Sequence, residues 1–157
     1  MKIERAELKD AERLLEVQKI AFGKYALKYG DFENNPYHME LDRMEFNIRY
    51  RFGRYYKVVE NEQIIGGIFG FELDDPKIIK IAQFYLLPDF QALGYGTDIL
   101  EYFINDNKQA NTWYIDTILQ EEYNVNFYKK LDFEIIDEEE EHEGLTFVTM
   151  IKKLNRW

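Results

Sequence analysis

The sequence predicts a mixed α/β fold, a central sheet flanked by helices, in a single domain over residues 1–157. Three observations support it. The chain has 157 residues, of which 46% are hydrophobic and 17% aromatic, enough for one substantial core. Helical and strand periodicities alternate without a linker, a repeat or a low-complexity segment. The nearly uninterrupted apolar run 78–87 is typical of a strand in the middle of a covered sheet.

The N-terminal half of the sequence predicts an edge strand, two helices and a hairpin. Residues 1–8 are expected to form a short edge strand, and residues 9–30 a helix that Asp10 is suited to cap. A second helix follows the Asn-Asn-Pro break at 34–36, and two strands joined by a tight turn at 60–63 follow it. The apolar stripes of the two helices are Ala11, Leu14, Leu15 and Ala21, and Leu41, Met44, Ile48 and Phe52.

The C-terminal half predicts a second alternation of helices and strands. Pro88 ends the apolar strand, because proline cannot donate a hydrogen bond to a sheet. The remaining elements are a helix with the apolar stripe Ile99, Leu100, Phe103 and Ile104, a strand at 112–119, a helix at 121–133, and a strand pair at 133–140 and 145–154. The six carboxylates of 137–143 are expected in a solvated strand end or loop, with a partner-binding patch as the alternative.

Composition restricts the partners and the compartment. The formal charge of -10 opposes binding to nucleic acid and attracts cationic substrates. The chain has no cysteine, and its two histidines, His38 and His142, have no metal-ligand spacing, so no metal site is predicted. Its charged N-terminus is unlike a signal peptide, and no apolar run approaches the roughly 20 residues of a membrane span. We therefore expect a cytoplasmic protein with no membrane partner.

A glycine-containing loop, "QALGYG" at 91–96, leads from the apolar strand into a helix. Gly94 and Gly96 allow backbone N–H groups to be exposed at the helix N-terminus, where the helix dipole also favours an anion such as phosphate. A dinucleotide fingerprint would need a third glycine in place of Ile99, and a P-loop would need a lysine that "GYGTDIL" lacks. This segment alone therefore does not distinguish an ordinary turn from a phosphate-binding loop.

The longer segment "YLLPDFQALGYGTDILEYF" resembles the acetyl-CoA loop of the GNAT N-acetyltransferases, and "NFYKKLDFEI" is similar to the Phe-Tyr-x-Lys-Leu-Gly-Phe segment of the same family. The resemblance implies a mostly antiparallel mixed sheet whose central strands splay apart to admit the cofactor. It also implies acetyl-CoA as co-substrate and transfer of the acetyl group to a primary amine by direct attack in a ternary complex. The acceptor can be a small cationic amine or a protein lysine or N-terminus.

The resemblance also implies roles for individual residues. It places the pyrophosphate over the amides of Gln91, Ala92, Leu93, Gly94, Tyr95, Gly96 and Thr97, and the pantetheine along the strand edge at Phe84 and Leu86. An N–H near Phe84 is the implied oxyanion donor, and Tyr128, as a phenol with a pKa of ~10, is the implied proton donor to the thiolate.

The sequence departs from the family at three positions that bear on the site. Lys80 lies where the histone-acetylating relatives have a glutamate base, so Glu72 and Asp116 are the substitute candidates, along with a base acting through water. Glu121 replaces an asparagine that contacts the cofactor in many relatives. Asp132 replaces a glycine, which is expected only to alter a turn, since aspartate tolerates left-handed backbone.

The sequence is also compatible with two other functions and with a homodimer. These departures keep a catalytically silent acyl-CoA-binding regulatory module as the alternative to an enzyme, and the loop alone admits a nucleotide-binding protein. His38 is either an acceptor-site residue or a surface histidine. The C-terminal strand pair, which ends in "IKKLNRW", can pair edges in a homodimer.

Overall fold

The computed structural model describes residues 1–30 and 35–155, and in them a seven-stranded sheet has the order β1-β2-β3-β4-β5-β7-β6. The strands are β1 (Lys2–Arg5), β2 (Gly53–Glu60), β3 (Gln63–Glu72), β4 (Ile78–Leu86), β5 (Thr112–Ile118), β6 (Glu134–His142) and β7 (Leu145–Lys153). All neighbouring strands pair antiparallel except β4 and β5, which are parallel. The predicted mixed α/β class and the mostly antiparallel sheet are confirmed, and the apolar strand β4 is the middle strand of the seven.

Four helices cover the two faces of the sheet. Helices α1 (Ala11–Tyr29) and α2 (Leu41–Arg49) pack on one face, where Leu14, Met44 and Tyr55 belong to one buried cluster. Helices α3 (Tyr95–Asn105) and α4 (Glu122–Lys130) pack on the other face, over Phe103 and Trp113. None of the described helices is both long and apolar enough to cross a membrane. The sheet therefore separates two apolar layers.

Most predicted elements are present, and the helical stripes are largely buried. All four apolar residues predicted for α3 are buried, whereas Leu15 of α1 is only half-buried. The hairpin turn between β2 and β3 consists of Asn61 and Glu62, both with positive φ, as a two-residue hairpin requires. Asn34 of the predicted break and Arg156 and Trp157 of the final segment lie outside the described residues.

Two predictions need correction, and the structure makes two others more specific. Asp10 makes no side-chain cap for α1; its carboxylate instead accepts a hydrogen bond from the Glu7 amide (2.9 Å) and pairs with Lys57 (3.0 Å). Phe52 lies beyond the end of α2 and is 46% exposed. Of the two structures expected for the acidic run, a solvated strand end or a loop, the structure has the exposed strand, because β6 extends through the run to His142. The C-terminal strand β7 lies between β5 and β6 and is not an edge, so only β6 is exposed for pairing at this side of the sheet.

A bulge in β4 opens the sheet. The register with β3 passes from Phe69 opposite Gln83 to Gly70 opposite Ile81, which leaves Ala82 as an extra residue. Pairing with β5 ends at Ile81 and Ile115, immediately before this bulge. An extra residue bends and twists its strand locally. The last residues of β4 and β5 therefore diverge, and the gap between them is where the site lies.

Candidate active site

A cleft of about 820 Å³ occupies the gap between the diverging ends of β4 and β5. Its walls come from β4 and β5, the glycine loop, α1, α4, and the ends of β6 and β7. Most of the predicted site residues line it: Phe84, Leu86, Gln91, Ala92, Gly94, Gly96, Thr97, Asp116 and Tyr128. Leu93, Tyr95 and Glu72 do not. The fold thus brings two sequence motifs, about thirty residues apart, into one cleft.

The edge of β4 that faces the cleft has no strand partner beyond Ile81. The amide of Leu87 donates to the Ile65 carbonyl of β3 (2.8 Å), so Leu87 faces β3. Because consecutive residues of a strand direct their backbone groups to opposite sides, the N–H groups of Leu86 and Phe84 point towards the cleft. In agreement, the Leu86 carbonyl accepts a hydrogen bond from Gln91 Nε2 (2.9 Å) across this side. Phe84 and Leu86 therefore present backbone donors to the cleft.

The glycine loop ends in the N-terminus of α3. Gly94 is the N-cap residue, with φ +84°, and no atom lies within 4 Å of a Cβ built on it, so glycine is needed here for the backbone conformation and not for space. At Gly96 a Cβ would lie 3.2 Å from the Phe127 ring. The first N–H groups of α3 have no partner within the helix, and the helix dipole adds positive potential beside them. The loop can thus hold an anion at residues 94–97.

Of the loop residues predicted to present their amides, Gln91 differs from its predicted role, and the side chains of Leu93 and Tyr95 lie outside the cleft. The Gln91 amide already donates to the Pro88 carbonyl (3.2 Å), so it is not free for a ligand; the Gln91 side chain instead ties the loop to β4. Leu93 is 60% exposed, and its side chain lies outside the cleft. The Tyr95 hydroxyl donates to Glu60 (2.8 Å), and its ring stacks on Phe90. The side chains of Leu93 and Tyr95 therefore do not shape the cleft.

Tyr128 is the buried polar side chain of α4 at the cleft. It is more than nine tenths buried and packs edge-on against Phe127 and Phe133. Its side chain lines the cleft, and its hydroxyl makes no hydrogen bond with residues 1–30 and 35–155. Burial, and to a smaller extent Tyr25, raise the pKa of Tyr128 well above its usual value, because the phenolate would be poorly solvated. Tyr128 is therefore a proton donor and not a base at neutral pH.

The two candidate bases are placed differently. Asp116 lines the cleft, but Lys80 Nζ lies 2.6 Å from one of its oxygens and the Thr149 hydroxyl donates to the other at 2.8 Å. Glu72 lies at the far end of β3, where it is opposite Ile79 and pairs with Arg54 (3.1 Å). The structure therefore does not bring Glu72 to the cleft, and Asp116 is already engaged by two side chains.

Sequence reasoning did not identify the contacts that hold α1 across the cleft. Lys28 Nζ lies 2.6 Å from Glu121, and the Tyr29 hydroxyl donates to the same carboxylate. Although burial alone would raise the pKa of Glu121, these two hydrogen bonds outweigh it and lower that pKa. The ring of His142 contacts the Tyr29 carbonyl through Nε2 (2.9 Å). No sequence signal links these groups, because Lys28 and Glu121 are 93 positions apart.

Three further residues are His38, which lies outside the cleft, Gln83, which lines it, and Asp132, which lies in a turn. His38 belongs to a single helical turn, Pro36–His38, with its ring edge-on to Tyr37, and does not line the cleft. Gln83 was not predicted as a site residue, but it lines the cleft. Its side-chain oxygen is buried and has no hydrogen-bond partner among the described residues. Asp132, which replaces the family glycine, has φ +69°, so the predicted tolerance of aspartate for left-handed backbone is confirmed.

The sheet is split beside the bulged central strand, and a helix N-terminus lies at one end of the split. These features are those of the acetyltransferase fold that the two motifs imply. Residues 35–154 match the acetyltransferase (GNAT) domain family. Because this match covers most of the chain, the protein belongs to the GNAT acetyltransferases. No curated protein matches the sequence significantly.

Solved structures share the fold at low sequence identity. The ribosomal-protein-S18-alanine N-acetyltransferase from Escherichia coli is 12% identical, with a TM-score of 0.81, over 99% of this chain and 95% of that chain. An aminoglycoside 6'-N-acetyltransferase complexed with coenzyme A is 13% identical, with a TM-score of 0.77, over 100% and 99% of the two chains. The Salmonella typhimurium protein yncA, solved with its cofactor acetyl-CoA, is 15% identical, with a TM-score of 0.79, over 100% and 95%. Identity this low shows the fold and not the acceptor.

Proposed function

We propose that this protein transfers the acetyl group of acetyl-CoA to a primary amine by direct attack within a ternary complex. The observation that carries the proposal is that one cleft contains both an unpartnered strand edge and a buried tyrosine, Tyr128, whose hydroxyl makes no hydrogen bond with the described residues. The edge supplies N–H donors and the tyrosine supplies a proton, which are the two groups that acyl transfer from a thioester requires.

Binding of the donor would rest on backbone groups. The amides of Gly94 to Thr97 would hold the pyrophosphate, and the N–H groups of Phe84 and Leu86 would hold the pantetheine arm. Ala92 and Leu93 add no positive charge to the loop, but Lys24 of α1 lines the cleft and lies 3.5 Å from Gln91. Lys24 is therefore suited to supply the cationic contact that the loop itself lacks.

The chain's own residues would assist transfer at two atoms, the carbonyl oxygen and the sulfur. Acetyl-CoA supplies a thioester whose carbonyl carbon bonds to the amine nitrogen while its C–S bond breaks. The N–H near Phe84 would donate to the carbonyl oxygen as negative charge develops on it. The Tyr128 hydroxyl would give its proton to the departing sulfur, and the amine nitrogen would lose a proton to water, which restores the tyrosine through solvent. Because Lys80 and Thr149 engage Asp116, a neutral amine attacking without a protein base is favoured.

The test measures CoA release from acetyl-CoA across a panel of primary amines, with the dissociation constant of acetyl-CoA measured separately. Tyr128→Phe is expected to lower kcat by about 10²-fold, the lower end of the range for a lost general acid, with donor affinity retained. Tyr102→Phe is the matched control, because Tyr102 lies outside the cleft and is 42% exposed. An unchanged kcat in Tyr128→Phe would remove Tyr128 from the mechanism.

A catalytically silent acyl-CoA-binding module is the second candidate, and the Lys80–Asp116 pair favours it because it engages the candidate general base that lines the cleft. This candidate predicts that acetyl-CoA raises the melting temperature while no amine releases CoA. Turnover with any amine excludes it. If millimolar acetyl-CoA neither raises the melting temperature nor supports turnover, both candidates fail.

A further inference from the structure

Three carboxylates form a stripe along the cleft face of β6. Asp137, Glu139 and Glu141 line the cleft, whereas Glu138 and Glu140 between them do not. The alternation follows from the strand, since successive side chains point to opposite faces. The register places Asp137 opposite Thr149 and Glu139 opposite Phe147, and both partners also line the cleft. We call Asp137, Glu139 and Glu141 the β6 stripe.

The β6 stripe is the part of the cleft whose negative charge is not neutralised. Two other carboxylates of residues 1–30 and 35–155 line the cleft, and both are paired: Asp116 with Lys80 and Glu121 with Lys28, each at 2.6 Å. No side chain of the stripe has a hydrogen bond or ion pair with the rest of residues 1–30 and 35–155, although the backbone of β6 pairs with β7. The basic side chain that lines the cleft, Lys24, contacts Gln91 at the glycine-loop end. Lys24 therefore contacts the glycine loop, whereas the side chains of the β6 stripe have no cationic partner among the described residues.

Two polar groups in the same cleft lack partners of their own. The side-chain oxygen of Gln83 is buried without a hydrogen bond, and Gln83 lies beside the bulge at Ala82. Tyr128, more than nine tenths buried, lines the same cleft, and its hydroxyl makes no hydrogen bond with the described residues. A buried acceptor oxygen left unsatisfied is destabilising, and a ligand N–H would satisfy it. These groups indicate independently that a nitrogen-containing ligand enters between β4 and the β6 stripe.

The spacing and the closure of the cleft restrict the shape of that ligand. Alternate residues of a strand lie about 6.5 Å apart, a distance that three or four methylene groups between nitrogen atoms can match. The end of α1 contacts α4 through Tyr25 and Asn124 (3.5 Å) and β6 through the Tyr29 carbonyl and His142. A narrow, flexible chain fits a cleft bordered in this way better than a folded protein does.

We propose that the acceptor is a small linear polyamine, with one amine at the reacting position near Gln83 and Tyr128 and its further ammonium groups along the β6 stripe. The inference rests on the proposed function and adds the substrate class. The reacting amine must be neutral to attack, whereas the other nitrogens stay protonated and bind the carboxylates.

The experiment compares a linear triamine, with three and four methylene groups between its nitrogens, with a monoamine of matched length. We expect the native enzyme to prefer the triamine in kcat/KM, and this preference to fall with rising salt. The double variant Glu139→Gln/Glu141→Gln is expected to raise KM for the triamine by about fivefold to tenfold, with the triamine preference reduced accordingly. The control Glu138→Gln/Glu140→Gln removes the same charge from the opposite face of β6 and is expected to change this KM by less than about twofold.

Binding of the triamine in the presence of CoA, followed by calorimetry, separates this inference from the proposed function. In one outcome, the stripe variant weakens triamine binding, the control variant does not, and no amine is acetylated. This outcome would overturn the proposed function and support the polyamine site. Turnover of monoamine and triamine with equal kcat/KM would overturn the inference and leave acetyl transfer in place. Equal effects of the two double variants, or a stripe-dependent preference for a basic peptide or an aminoglycoside over the triamine, would also overturn it.

Discussion

At the scale of single residues, Glu121 connects the site to the rest of the molecule. Its carboxylate receives Lys28 and Tyr29 from the end of α1, and it precedes the first residue of α4. The sequence marked Glu121 only as a departure from the family asparagine. In the structure, the same side chain holds α1 beside the cleft, so the departure has a structural role that a comparison of motifs does not reveal.

The lowered pKa of Glu121 makes this contact dependent on pH. A carboxyl group whose pKa is lower in the folded state stabilises the fold above its unfolded pKa, about 4.3, and loses that contribution as the pH falls through the folded value. We expect Glu121→Gln to lower the free energy of unfolding at pH 7, and the difference from the native protein to shrink towards zero below pH ~4. Urea unfolding at both pH values measures this difference. Glu122→Gln is the control, because Glu122 is exposed and has no ion pair in residues 1–30 and 35–155. A difference that grows on acidification would contradict the assignment.

At the scale of the elements, the site depends on β4 and the start of α3. The bulge at Ala82 frees the end of β4 from β5, and Gly94 turns the chain so that the first amides of α3 point to the cleft. Under the proposed function, β4 would supply donors for an extended arm, and the start of α3 would supply donors for an anion. Because these donors are backbone N–H groups, a displacement of the backbone would remove either contact, regardless of the neighbouring side chains.

Gly94 and Gly144 have nearly the same φ, so the same substitution at the two positions distinguishes an effect on acetyl-CoA binding from an effect on stability. Gly94 has φ +84° and Gly144, in the β6–β7 turn, has φ +88°, and neither has an atom within 4 Å of a built Cβ. Replacing either with glutamate is expected to destabilise the fold by about 1–2 kcal/mol, because a side chain opposes left-handed backbone. Only Gly94→Glu is also expected to weaken acetyl-CoA binding, by at least about tenfold, since it adds a negative charge where the pyrophosphate would bind.

Denaturant unfolding and calorimetry with acetyl-CoA measure the two effects of these variants. Equal losses of stability with a loss of affinity only in Gly94→Glu would support donor binding at residues 94–97. Undiminished affinity in a folded Gly94→Glu protein would remove the loop from the donor site.

Sequence periodicity predicted elements better than it predicted the site. The apolar residues on both faces of β4, such as Ile79 and Tyr85, were sufficient to place this strand at the centre. The bulge at Ala82 has no glycine or proline to mark it, and the β6 carboxylates were expected in a solvated end because charge alone does not distinguish a strand from a loop. Contacts such as Lys28 with Glu121 depend on the completed fold, so no local pattern encodes them.

At the scale of the whole molecule, the sheet has two edges that differ in their capacity to pair. Strand β1 is only four residues long, whereas β6 is nine residues long and carries five consecutive carboxylates at 137–141. Antiparallel pairing of two β6 strands would bring like charges opposite each other, which is destabilising, and the chain charge of -10 adds a longer-range repulsion. The acidic stripe that would bind a cation on one face of β6 thus also protects the open edge of the sheet.

These charges predict that the native protein is a monomer at pH 7, as measured by size-exclusion chromatography with light scattering. A variant in which Asp137 is replaced by Asn and Glu138, Glu139, Glu140 and Glu141 by Gln is expected to self-associate, because each like-charge pair removed from the edge-to-edge contact relieves roughly 0.2–1 kcal/mol. The variant Asp132→Asn/Glu134→Gln is the control, since it reduces the net charge but leaves the five carboxylates in place. A native dimer that dissociates in the five-residue variant would show that β6 is an interface and not a protected edge. A native dimer that persists unchanged in that variant would place the interface on another surface and contradict the monomer prediction.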